Sequence, residues 1–383
     1  MLLALLLAVL QAGPPAVAGH ALVYAGDQGL LLLNADGATG KRIWRWDGQH
    51  WALVPGEHPQ VHSLAAVAYD PDTQAIFMHG GAIGHPSEGG QIDWKPDAST
   101  LRFDGKVWTT VATTGPAPRD HHAMVYDRAR KRLVLYGGTD ADPSGRSTWF
   151  DDTWEWDGKQ WIELEGAGPT VSAHFGMAYD EKRERVVLAG GFGQRGPDAR
   201  VWELDGKRWT PIETGDAGGP ALRTSPRMAF DAQLGKVVLF GGESDRVHSS
   251  DTWAWDGTQW SRIAAEGPPG RSVHALAYDG TRGVLVMYGG AGPSELDDLW
   301  ELDGSSGAGS LPADSSCMPL WRLLDLSRCE EVHETPRSAR HFESRRTASA
   351  RRGCAAHEAS PADERREAEA QARQVGAGVT SGK

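Results

Sequence analysis

The residues best suited to chemistry stand in short polar segments, each just ahead of an apolar run: Arg119, His121 and His122; His174; Arg223 and Arg227; Arg271 and His274. A guanidinium grips a carboxylate through paired N–H donors, and an imidazole exchanges protons or hydrogen bonds with hydroxyls near neutral pH. Two kinds of position are mixed here. Arg119, Arg223, Arg271, His122 and His274 recur at fixed offsets, which favours a scaffold role for them over ligand contact. His121, His174 and Arg227 break the offset and are the better ligand candidates. Glu243 and Arg246 add charge from variable segments, where solvation is the default reading. Trp94 and Trp149 lie outside the periodic tryptophan positions and are candidates for an exposed platform. Asp140, Asp142 and Ser144, followed by Gly145 and then Asp151 at the twelfth place, set out oxygen ligands as a calcium loop does. Pro143, Ser147 and the lack of flanking helices favour a chance match.

A repeat positions these residues. Gly pairs begin at Gly80, Gly137, Gly190, Gly241 and Gly289, spaced by 57, 53, 51 and 48 residues. Each pair ends an apolar run such as Leu133-Val134-Leu135-Tyr136. One short turn before each run stands an aromatic-Asp pair: Tyr69-Asp70, Tyr126-Asp127, Tyr179-Asp180, Phe230-Asp231 and Tyr278-Asp279. A third segment ends in Asp-Gly, at Asp104, Asp157, Asp205, Asp256 and Asp303, which predicts a two-residue hairpin turn with positive φ at both positions. Trp108, Trp161, Trp209 and Trp260 follow three residues after the Gly. Each unit therefore reads as a four-stranded antiparallel meander, apolar on both faces because it is sandwiched between its neighbours. An earlier unit aligns without a gap: His20-Ala21-Leu22-Val23-Tyr24 matches His122-Ala123-Met124-Val125-Tyr126, with Ala35 and Asp36 where the Gly pair would be. The chain's 48 Gly and 16 Trp suit such an all-β fold of tight turns and aromatic wedges.

Arg119-x-x-His122-Ala123 and Arg271-x-x-His274-Ala275, the apolar run into Gly-Gly, Asp152-Thr153-Trp154 and the following Trp resemble the kelch family, whose period is about 50 residues. The resemblance covers residues 20–304 and implies an all-β fold: a β-propeller of six kelch-type four-stranded blades. The sixth unit departs from the pattern, since Gly307 stands where the others carry Trp. Its fourth strand is either missing or supplied from the tail, for which Leu320-Trp321-Arg322-Leu323 is the candidate.

At the N-terminus, the apolar run 2–10, the Gly13-Pro14-Pro15 break and Ala16-Val17-Ala18 read as a secretory leader cut after Ala18. The run is too short for a bilayer span. The expected organisation is a leader over 1–18, a propeller over 19–304 and a mostly disordered tail over 305–383. All three cysteines, Cys317, Cys329 and Cys354, fall in that tail, so the repeats fold without disulfides. Both a natural interaction tail and unselected sequence after a reading-frame change near Gly304 fit its composition.

Meander topology puts the short turns at one end of each blade and the variable second-to-third loops at the other, with the segments carrying His121, His174 and Arg227. Binding usually resides in variable loops on a rigid scaffold. A formal net charge of −12 without a basic stripe before residue 320 argues against nucleic acid. The leading expectation is a monomeric, secreted or periplasmic, noncatalytic module without a cofactor that binds a protein or glycan. The rival is an enzyme on the same scaffold. A copper-radical oxidase of the galactose-oxidase type would need a Cys in the repeats, and none is there. A sugar mutarotase similar to the kelch-like N-acetylneuraminate epimerases needs an acid-base pair and an Arg for the carboxylate, for which His121 or His174 with Glu243 and Arg227 would serve.

Overall fold

A computed structural model of the chain describes residues 13–33, 42–56, 63–86, 92–141, 147–214, 218–264, 267–304 and 321–324. Six four-stranded antiparallel sheets succeed one another, each with its strands in chain order. Their first strands are Ala21–Tyr24, Ala66–Asp70, Ala123–Asp127, Gly176–Asp180, Arg227–Asp231 and Ala275–Asp279. Each first strand packs against the first strands of the two neighbouring blades, and the sixth returns to the first, so the sheets close around a common axis.

The second strands show why both faces are apolar. In blade three, Leu133 and Leu135 pack with Ala66 and Phe77 of blade two. Their neighbours Val134 and Tyr136 pack with Met177 and Val186 of blade four. With a side-chain period of two, one strand thus feeds two interfaces.

Polar bonds repeat with the blades. The Trp161 indole donates to Thr100 Oγ1 across the seam at 2.8 Å, and Trp209 does the same to Thr153 at 2.9 Å. The second Gly of each pair donates its N–H to the next blade: Gly81 to Arg119 O, Gly138 to Ser172 O, Gly191 to Arg223 O and Gly242 to Arg271 O. A Cβ on Gly80 would lie 2.6 Å from Arg119 O, and its φ is +63°, so this approach admits only glycine.

The Asp-Gly expectation is corrected. Only the Gly has positive φ, +92° at Gly158, and the loop runs four residues between the paired Trp156 and Trp161. Asp157 Oδ1 accepts the N–H groups of Lys159 and Gln160. The carboxylate closes the turn, so the Asp itself does not need the left-handed region.

Both ends of the propeller draw on sequence outside 19–304. The sixth blade is completed by Trp321–Leu324, paired with Leu299–Leu302, and the Trp321 indole donates to Thr252 Oγ1 at 2.9 Å as its counterparts do. At the other end, Gly290 N–H donates to Val17 O, and the Tyr288 hydroxyl donates to Pro14 O at 2.5 Å. Blade three shows the same arrangement, where the Tyr136 hydroxyl reaches Pro169 O and Val171 O. The segment 14–18 therefore joins blade six to blade one as the later connections join their blades. Ala35 and Asp36, the three cysteines and the rest of the tail lie outside the described residues, and among the described residues no helix is long and apolar enough to cross a membrane.

Candidate functional site

Two residues before each first strand stands Gly19, Leu64, His121, His174, Ser225 or Val273, and all six have positive φ, from +53° to +74°. Five of them are not glycine. A left-handed residue with a side chain costs about 1–3 kcal/mol and persists only where its surroundings fix it. Here peptide groups hold it: Leu64 N–H donates to Gly19 O, Gly19 to Val273 O, Val273 to Ser225 O and Ser225 to His174 O. Among the described residues no such bond joins His174 to His121 or His121 to Leu64. All six residues line a cavity of about 170 Å³ at one mouth of the axial channel, close to the volume of about 150 Å³ that accepts benzene.

Arg227 lies directly below this circle. The corresponding residues of the other first strands are Ala21, Ala66, Ala123, Gly176 and Ala275, so one long cation occupies a layer of small side chains. Its Nε donates to His274 O at 2.8 Å. Among the described residues no carboxylate is within ion-pair distance of it, and its two Nη groups have no protein partner. Desolvation pushes its pKa down to about 10.

Two histidines stand above it, their ring centroids 4.1 Å apart. His121 Nδ1 is 2.8 Å from Asp120 Oδ1, which also accepts the Thr139 hydroxyl. Burial opposes ionisation of Asp120, but the bonds from His121 and Thr139 outweigh it and hold the carboxyl below its usual range. The ionised Asp120 only accepts, so His121 Nδ1 carries the proton and a neutral His121 presents its Nε2 lone pair. His174 Nδ1 meets Ser225 Oγ at 2.9 Å. Burial, then His121 and Arg227, lower the His174 pKa to about 3, so it is neutral near pH 7. Behind it, Phe192 stacks at 5.1 Å and Trp149 meets Phe192 edge-on at 5.2 Å, extending an aromatic wall out from the mouth.

The structure brings His121, His174 and Arg227 together. It places the repeated residues elsewhere. The buried Arg119, Arg223 and Arg271 make paired bonds to Asp152, Asp251 and Asp298 and a further bond to the carbonyl of Gly137, Gly241 or Gly289. Those donors hold the scaffold. His122 reaches His79 O, and the buried His274 meets Phe240 edge-on. Glu243 opens a small hairpin of blade five, 3.6 Å from His248, and Arg246 is exposed at its tip. Trp149 is half-buried, and Trp94 lies in the strand Ile92–Pro96 opposite Gly84. Asp142 and Ser144 of the calcium pattern lie outside the described residues. Among the described residues no three His, Cys, Asp or Glu stand close enough to share a metal ion.

Ser225, Phe192 and Asp120 were not singled out from sequence. Aligning the position two residues before each first strand gives the series Gly, Leu, His, His, Ser, Val, a variable column amid repeated neighbours, and that signal would have found Ser225.

Six meanders stacked about an axial channel, with variable hairpins gathered at one mouth, define a six-bladed β-propeller. The model of the KLHDC2/KLHL20/DRC7 Kelch-repeats domain matches residues 61–267, and the chain belongs to the kelch-repeat family. Mei4-dependent protein 6 of Schizosaccharomyces pombe is 30% identical over 205 residues, 46% of this chain and 29% of that protein. Host cell factor 2 of Homo sapiens is 24% identical over 247 residues, 57% of this chain and 30% of that protein. The chain thus spans less than a third of either relative. The solved structure described as "Structure of YjhT" shares the fold with a TM-score of 0.59 and 13% identity, covering 81% of this chain and 98% of that one.

Proposed function

We propose that this chain is a binding module that docks a protein or glycan partner on its hairpin-bearing face and takes an anionic group of that partner into the channel mouth. The observation that carries the reading is Arg227: a cation without a carboxylate, set in a ring of Ala and Gly beneath His121, His174 and Ser225. Arg227 is half-buried and has no counter-ion among the described residues, and a carboxylate entering along the axis would pair with it. The volume of the mouth suits one ring-sized group presented end-on. Export, for which the apolar run 2–10 speaks, belongs to the same reading.

The test is a screen of the full chain against carboxylated and neutral glycans and acidic peptides, repeated with Arg227→Ala and His174→Ala. Loss of at least about tenfold in affinity for the hits is expected, because truncating one side of a desolvated charge pair costs about 2–5 kcal/mol. Unchanged binding by both variants would overturn the reading. A second reading, acid-base catalysis such as sugar mutarotation, is favoured by the Asp120–His121 bond, which leaves the His121 Nε2 free as a proton acceptor beside Arg227. Anomer exchange catalysed by the unmodified chain and abolished by His121→Ala would establish it in place of the first.

A further inference from the structure

The opposite end of the channel differs in chemistry. There, at or one residue before the ends of the first strands, Tyr24, Tyr69, Tyr126, Tyr179, Phe230 and Tyr278 line a second cavity of about 670 Å³, within the range of small-molecule sites. Three of the phenols are tied across a blade seam. The Tyr24 hydroxyl meets Thr281 Oγ1 at 2.8 Å on blade six, Tyr126 donates to Asp72 at 2.5 Å on blade two, and Tyr179 accepts the Ala129 N–H of blade three at 3.2 Å. A hydroxyl tied to the neighbouring blade is engaged there, which leaves the ring, half-buried at Tyr24 and Tyr126, as the part of the side chain that borders the cavity.

The face of an aromatic ring is the negative side of its quadrupole. Carboxylates reinforce that sign. After burial, the nearby charges of Asp27 for Tyr69, Asp72 for Tyr126, Asp127 for Tyr179 and Asp231 for Tyr278 help hold these phenols above their usual range. Arg128, which lines the cavity together with Glu181, stands 3.9 Å from that carboxylate, and Lys131 is 3.2 Å from Asp72.

We propose that this aromatic-lined end of the channel is a second site, separate from the Arg227 mouth, and that it binds a small organic cation of the quaternary-ammonium class. Aromatic walls attract a diffuse cation without requiring it to shed a tight hydration shell, and no direct hydrogen bond is needed.

The experiment is calorimetric titration of the full chain with choline and with 3,3-dimethyl-1-butanol, its neutral isostere. Choline is expected to bind about tenfold more tightly than the alcohol, the discrimination a desolvated cation–π contact supplies. Tyr69→Leu is expected to weaken choline binding, and Tyr69→Phe to retain it, since the face and not the hydroxyl makes the contact. Arg227→Ala is expected to leave choline affinity unchanged, which separates this site from the anion mouth. Equal affinity for choline and the alcohol would overturn the proposal even if a variant failed to fold, as would full binding by a folded Tyr69→Leu chain.

Discussion

A chain that starts at Gly19, the product of a cut after Ala18, should be less stable than one that starts at Pro14. The missing residues leave the fully buried Tyr288 hydroxyl without its acceptors Pro14 O and Pro15 O, and Gly290 N–H without Val17 O. Two stripped donors cost about 2 kcal/mol each. Burial of Val17, 6% exposed, is worth about 1.5 kcal/mol more, and its own N–H bond to Leu296 O about 1. Against that gross loss of about 6–7 kcal/mol, freeing three ordinary residues and two prolines returns about 4 kcal/mol of backbone entropy. The net destabilisation is about 2–3 kcal/mol, or roughly 3–5 °C in melting temperature for a domain of this size. Differential scanning calorimetry of both chains, each with an initiator Met, reads the effect. If the two melt together, residues 14–18 do not close the ring.

Arg271→Ala, which strands Asp298 and the Gly289 carbonyl, should cost about 3–5 kcal/mol in denaturant melts. Arg271→Lys should recover little of this, because an ammonium cannot make the paired contact. Asp231 should behave in the opposite sense. Burial raises its carboxyl pKa and Oδ2 has no partner, so in the window between its unfolded and native pKa values stability falls as pH rises. Asp231→Asn should therefore stabilise the protein at neutral pH and change little at a pH below both values. His20 and His174 have pKa values lowered by burial to about 4 and about 3, so the unfolded chain takes up their protons first as pH falls below 6.5. Stability should decline from that point toward pH 4, and His174→Phe should flatten the decline in urea titrations at fixed pH values.

The scaffold was legible in the sequence because it repeats: a Gly pair, a Tyr-Asp turn or a seam Trp serves the same contact in each blade, so periodicity discloses it. Trp321 stood outside that period, since 16 residues outside the described structure separate it from Gly304 in place of the usual short turn, yet the segment Leu320-Trp321-Arg322-Leu323 still marked the missing strand. The mouth was legible only in part. Arg227, His121 and His174 stood out as off-pattern. Their left-handed backbone carried no signal, because the usual marker of that conformation is glycine and only Gly19 obeys it. Ser225 and Phe192 join the site through contacts between consecutive blades, which no local window contains.

Five of the six residues at the mouth, from Leu64 through Gly19, Val273 and Ser225 to His174, are tied together through main-chain atoms, and this frees their side chains. Any of these five can be exchanged without loosening the arc, provided the newcomer tolerates the left-handed turn, as Gly, Asn and Asp do at least cost. The rim works as a set of interchangeable teeth, and a descendant could acquire a new partner by replacing one of them at a time while the drum beneath stays the same.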